Sequence, residues 1–149
     1  MAMPYQCRNY AIWDTETWDL DTSKLEIVEI ACVVLNGETL EPIEGGEFQS
    51  YMKPKDWNNF IKKAIEVNKI THDLLKEKGR DRKDVLLAFG TFLNQFKVKG
   101  IPFGGAPISC GKNQIAFDTP ALDRICREEG LADKNGKNKF FDNKIAIDL

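Results

Sequence analysis

Histidine is almost missing from this chain: His72 is the only one in 149 residues. The four cysteines, Cys7, Cys32, Cys110 and Cys126, stand far apart and form no Cys-x-x-Cys pair. A structural zinc cluster, which needs close cysteine pairs and usually histidines, is therefore not expected. Cys32 and Cys126 lie in apolar runs, where a free thiol behaves as a small hydrophobe. No stretch approaches the roughly 20 apolar residues needed to cross a bilayer. The opening MAMPYQCRNYAIWD has no basic-then-apolar leader, so an intracellular, cytoplasmic location without a membrane partner is expected. Internal repeats, low-complexity tracts and linkers are also missing, which predicts a single domain over residues 1–149. Positive charge is not in excess: 21 Lys and Arg face 23 Asp and Glu, for a net charge of −2. That argues against a sequence-blind nucleic-acid coat, but leaves open an acidic pocket that recruits cations to meet phosphate. The local concentration of Lys76, Lys78, Arg80, Arg82 and Lys83 reads as a solvated surface loop.

Hydrophobic residues make up 42% and charged residues 30%, the balance of a globular domain with one core. Tyr10 to Trp13 reads as a short strand entering an acidic turn. Leu25 to Leu35 is β-branched and nearly apolar, as expected of a strand covered on both faces. Asn36-Gly37 signals a turn, and a third strand is predicted within Gly46 to Met52. Helical spacing follows at Phe60, Ile61, Ala64 and Ile65. Thr71 is a candidate N-cap for a short helix, and Val85 to Phe96 mark a longer one. A short strand is predicted near Pro107 to Ser109. Thr119-Pro120 opens a further helix, Gly130 closes it, and Ile145 to Leu149 begins one more strand. This order implies an α/β fold, a mixed sheet flanked by helices.

The sharpest local feature is Asp14-Thr15-Glu16-Thr17. Side chains on an extended segment alternate, so Asp14 and Glu16 point the same way. Two like charges held together are costly unless a cation sits between them. Mg²⁺ and Mn²⁺ want oxygen ligands and often share them with substrate phosphates. The second feature is Asn113-Gln114-Ile115-Ala116-Phe117-Asp118, where Asp118 stands at the mouth of a helix. A capping carboxylate is the plain reading of that position.

In combination these phrases resemble the DnaQ-like family of DEDD 3′→5′ exonucleases, which includes proofreading subunits of replicative polymerases. The family opens on a strand ending in D-x-E-T, matched by Asp14, Glu16 and Thr17. Its next strand contains I-x-E-I-A, matched by Ile27 to Ala31. A V-x-P turn and an I-T before a helix correspond to Met52-Lys53-Pro54 and Ile70-Thr71. Its N-x-x-F-D phrase corresponds to Asn113 to Asp118 with one extra residue. The resemblance spans roughly residues 10 to 149, and it rests on five phrases in order.

The resemblance implies a ribonuclease H-like fold, three antiparallel strands followed by parallel ones. It implies hydrolysis of single-stranded DNA or RNA from the 3′ end with two Mg²⁺ or Mn²⁺ ions. Asp14, Glu16 and Asp118 would be the catalytic carboxylates and metal ligands. Thr15, Thr17, Trp18 and Asn113 would contact the nucleic acid. The Trp18 ring could stack on a base, though burial in the core is an equal reading. A polymerase is a candidate partner.

One departure matters. The family carries a third motif, a histidine or tyrosine shortly before a last aspartate, and the 31 residues after Asp118 contain neither. Asp123, Asp133, Asp142 and Asp148 remain, none in such a motif. The chain is thus expected to lack the C-terminal part of the domain. His72, next to a helix start, is not expected to substitute as the base. Besides the exonuclease, a catalytically silent module binding nucleic acid or a partner is a distinct reading, as is a ribonuclease H-like endonuclease.

Overall fold

In the computed structural model, which describes residues 8–100, 102–142 and 145–149, a five-stranded sheet has the order β3-β2-β1-β4-β5. β1 (Tyr10–Thr17) runs four residues beyond the apolar stretch that announced it. β2 (Ile27–Leu35) pairs with it antiparallel, setting Ile12 opposite Val33, Asp14 opposite Ala31 and Glu16 opposite Glu29. β3 (Pro42–Tyr51) continues the antiparallel meander. It begins four residues before the predicted Gly46, because a proline is tolerated at the first position of an edge strand. β4 (Ile108–Gly111) pairs parallel with β1, and β5 (Ala146–Asp148) pairs parallel with β4. Three antiparallel strands followed by parallel ones make the mixed α/β sheet that the sequence predicts.

Alternation divides the sheet into two unlike faces. Ala11, Trp13, Ile30, Cys32 and Val34 point inward and are buried. Against them pack α3 (Arg82–Asn94), through Val85, Phe89, Phe92 and Leu93, and α4 (Thr119–Glu128), through Leu122, Ile125 and Cys126. Burial pushes the Cys32 and Cys126 thiols up to about 12. The opposite face, with Ile12, Asp14, Glu16, Glu29, Ala31 and Val33, is exposed or half-exposed among the described residues. β2 is therefore covered on one face rather than both, because α3 and α4 lie on the same side.

A second, smaller cluster closes the carboxyl end of β1. Trp18, Val28, Ile70 and Leu75 are buried there, with Trp57, Phe60 and Ile65 against them. α1 (Lys62–Asn68) is tied to the chain after β1: Ile61 N–H donates to the Trp18 carbonyl at 2.8 Å, and Asn68 Nδ2 donates to the Thr17 carbonyl at 3.0 Å. α2 (His72–Lys78) is capped by Thr71, whose hydroxyl accepts from Leu74 N–H at 3.2 Å. Gly130 takes φ +72° beyond α4, and Leu131 N–H returns to the Cys126 carbonyl at 2.8 Å. Lys76, Lys78, Arg80 and Lys83 are solvated as expected, but Arg82 is not. It is 5% exposed and lies 3.2 Å from Glu128, 3.0 Å from Glu129 and 3.6 Å from Glu26, whose carboxylate also accepts the Lys55 and Asp56 amides. Among the described residues no helix is long and apolar enough to cross a membrane.

Candidate active site

Asp14 and Glu16 share the open face of β1, as strand alternation dictates. Asp118 reaches the same place from another direction. It ends a π turn (Gln114–Asp118) that leads directly into α4, with the Thr119 amide donating to the Gln114 carbonyl. Pro120 gives a reason for the wider turn: it has no N–H, and its ring would crowd the Ala116 carbonyl in a regular helix. A π turn accommodates one extra residue, and the Asn113–Asp118 phrase carries one more than the family pattern. Asp118 is not the helix cap that its position suggests, since it is helical itself and makes no capping bond. The cap is Asp148, whose carboxylate accepts the Asn113 amide at 2.7 Å and the Ile115 amide at 3.4 Å.

Asp118 is 3% exposed and accepts a hydrogen bond from the Thr15 hydroxyl. Burial pushes its carboxyl up to about 6, Asp14 adds repulsion in the same direction, and the Thr15 bond opposes both. Glu16 is also raised, first by partial burial and then by the negative charges of Asp14, Glu29 and Asp118. Asp14 and Asp118 line one open cavity of about 560 Å³, with Ile12, Ala31, Val33, Lys112, Asn113 and Phe117 around them.

This crowding of carboxylates bears on a divalent ion. Among the described residues no group of three or more His, Cys, Asp or Glu side chains stands so that it could hold a metal ion. A hard cation such as Mg²⁺ does not need one, since it takes one or two carboxylates and fills its other positions with water and phosphate oxygens. The negative charge that Asp14 presents to Glu16 and to Asp118, with an all-oxygen donor set, fits that manner of binding.

The residues expected on the nucleic acid divide. Asn113 is exposed on the cavity, in the left-handed region at φ 57°. Thr15 and Thr17 belong to the inward face of β1, 8% and 9% exposed. Thr15 turns its hydroxyl to Asp118, and Thr17 donates to the Asp19 carbonyl at 2.8 Å. Trp18 takes its core alternative: it is fully buried, its Nε1 donates to the Ile70 carbonyl at 2.8 Å, and no ring face is left for a base. His72 packs 4.5 Å from Trp18 and 4.7 Å from Phe60 between ring centroids, and its Nε2 bonds the Trp57 carbonyl at 2.8 Å. Two residues were missed. Glu29 faces Glu16 across the β1–β2 ladder and is held by Gln49 Nε2 at 2.7 Å; that register is set across the long connection between β1 and β2, for which the sequence gives no turn signal. Lys112, at the cavity mouth, carries no signal in the sequence either.

A mixed sheet with acidic residues at the carboxyl end of its first strand, and another on the turn after the neighbouring parallel strand, is the ribonuclease H-like architecture of nucleases. The RNase_T family model, described as exonuclease, matches residues 11–100, and the chain belongs to that exonuclease family. Solved structures agree on the fold. Exonuclease I from Methylocaldum szegediense superposes with TM-score 0.72 at 19% identity, over 90% of this chain and 26% of that one. E. coli exonuclease I in complex with a dT13 oligonucleotide gives 0.71 at 16% identity, over 89% and 26%. An exonuclease I complex with SSB-Ct gives 0.69 at 17% identity, over 88% and 27%. The chain thus spans about a quarter of the length of these proteins. No curated protein matches it.

Proposed function

We propose that the cavity between Asp14 on the open face of β1 and the buried Asp118 of the π turn, with Glu16 beside it on the strand, hydrolyses phosphodiester bonds at the 3′ end of a single-stranded nucleic acid, with Mg²⁺ or Mn²⁺. The observation that carries this reading is electrostatic. Asp14 and Asp118 line one cavity, and beside the effect of burial the Asp14 charge raises the proton affinity of both Asp118 and Glu16. Bound there, a pair of divalent ions would supply an activated water and a charge sink for the leaving 3′ oxygen. Asp14 and Glu16 would hold them from the strand and Asp118 from the turn. Thr15 keeps one Asp118 oxygen in place, while Lys112 and Asn113 stand at the mouth, where a backbone phosphate would enter. Ile12, Ala31 and Val33 floor the cavity with apolar surface on which sugar and base can rest. Membership of an exonuclease family and the single-stranded oligonucleotide bound by E. coli exonuclease I support the substrate class.

The test is digestion of a 5′-labelled single-stranded oligonucleotide with Mn²⁺, beside Asp14→Ala. A ladder shortening from the 3′ end, missing in the variant, is the expected result. Cutting of a circular single strand would point to an endonuclease instead. A second reading, a silent binding module, is favoured by one observation: the only histidine is bonded to Trp57 within an aromatic cluster. It predicts that the oligonucleotide binds without turnover and that Mn²⁺ still binds through Asp14.

A further inference from the structure

Gln114, the first residue of the π turn, is 2% exposed and cannot reach a substrate, yet it makes two side-chain bonds. Its Nε2 donates to the Trp13 carbonyl, and its Oε1 accepts from the Ser109 hydroxyl at 3.0 Å. Ser109 Oγ accepts in turn from Trp13 Nε1 at 2.8 Å. The circuit is closed: indole to hydroxyl, hydroxyl to amide, amide back to the tryptophan's own carbonyl. It joins β1, β4 and the π turn, and each donor polarises the next. Gly111 reserves space for it. A Cβ there would lie 2.2 Å from Gln114 Nε2 and 2.8 Å from the Trp13 carbonyl oxygen, so a side chain at this position is incompatible with the circuit. The anchored carbonyl belongs to the residue before Asp14, and the turn that Gln114 begins ends on Asp118.

Resting on the metal-site reading above, we infer that Gln114 is a positioning residue that holds the π turn against β1 and so sets where the Asp118 carboxylate stands relative to Asp14. Hydrogen-bonding partners behind metal ligands typically account for about 10–100-fold in metal affinity. The experiment measures Mn²⁺ affinity of the full chain by the EPR signal of free Mn²⁺, for the wild type, Gln114→Met, Asp118→Asn and the double variant. Methionine keeps the bulk and removes both bonds. Gln114→Met is expected to weaken binding about tenfold, and the double variant to bind no more weakly than Asp118→Asn alone. That non-additivity separates action through Asp118 from general loosening. Undiminished affinity in Gln114→Met, beside weakened Asp118→Asn, overturns the inference and leaves the metal site standing. Additive losses also overturn it. Undiminished affinity in Asp118→Asn overturns the metal reading of that residue and the inference together. Should Gln114→Met fail to fold, Ser109→Ala removes one link of the circuit; a smaller loss, again non-additive with Asp118→Asn, supports the inference and no loss overturns it.

Discussion

The two arms of the candidate site are built in opposite ways. Asp14 and Glu16 stand on an open sheet face, placed by the backbone ladder to β2 and by strand alternation. Asp118 is buried on a turn whose every approach is tied by side chains: Asp148 at its start, Gln114 to β1 and β4, Thr15 at the carboxylate itself. A ladder fixes direction cheaply, because neighbouring residues do the work. A buried carboxylate has lost its water and needs explicit partners to hold one geometry. One arm should therefore tolerate substitution of its neighbours, and the other should not.

The largest effect is expected at Trp13, which lies between the arms. Its ring stacks on Phe141 at 5.5 Å and starts the circuit through Ser109 to Gln114. Trp13→Ala should cost about 3–5 kcal/mol in urea denaturation, the usual range for emptying a large aromatic site. Amide exchange should rise more in the π turn than in the β1–β2 ladder. Equal loosening of both would show that the arms are one unit.

A smaller effect is expected from Thr15→Val, which keeps the shape and removes the donor to Asp118. The Asp118 carboxyl, already near 6 through burial, should move further up without that bond. Metal ligation needs the ionised carboxylate. Mn²⁺ affinity of the wild type should therefore decline as pH falls through about 6, with a higher midpoint in the variant. Metal-free stability has the opposite sign. The folded pKa lies above the ordinary 3.8, so the folded state binds more protons in that window. The stability associated with protonated Asp118 is present at acid pH and is lost as pH rises through about 6. Asp118→Asn should flatten this part of the profile; an unchanged slope would assign it to another group.

The same division decides how much could be read in the sequence. The common face of Asp14 and Glu16 follows from a period of two over three residues, which is local information. The β1–β2–β3 meander and the Thr71 cap follow equally from local patterns, whereas the parallel strands beyond β1 are implied only by the family resemblance. Asp118 as a cap was the natural reading, yet the amides are taken by Asp148, which adjoins them only because β5 pairs with β4. The π turn arises from Pro120 meeting a phrase one residue too long, a conflict that helical periodicity does not display. Trp18 was open between stacking and core, and only the folded cluster around Ile70 and Phe60 decides it. Local order reads directly; contacts made across the sheet do not.

The smallest expected effect tests whether the open arm is as independent as its exposure implies. Glu29 faces Glu16 across the ladder, and its charge helps raise that carboxyl. Like charges directly opposite on a sheet cost about 0.2–1 kcal/mol. Glu29→Gln keeps an oxygen for Gln49 to bond and removes the repulsion, so it should stabilise the metal-free protein by about that much. The gain should shrink in high salt, and should disappear as pH falls and Glu16 takes up its proton. Saturating Mn²⁺ should also reduce it, because the cation then offsets the charge that the substitution deletes. If Glu29→Gln instead destabilises the protein equally at every pH, Glu29 is acting as the anchor for Gln49. The open arm would then depend on a side-chain tie of its own, and the contrast with the buried arm would be one of degree.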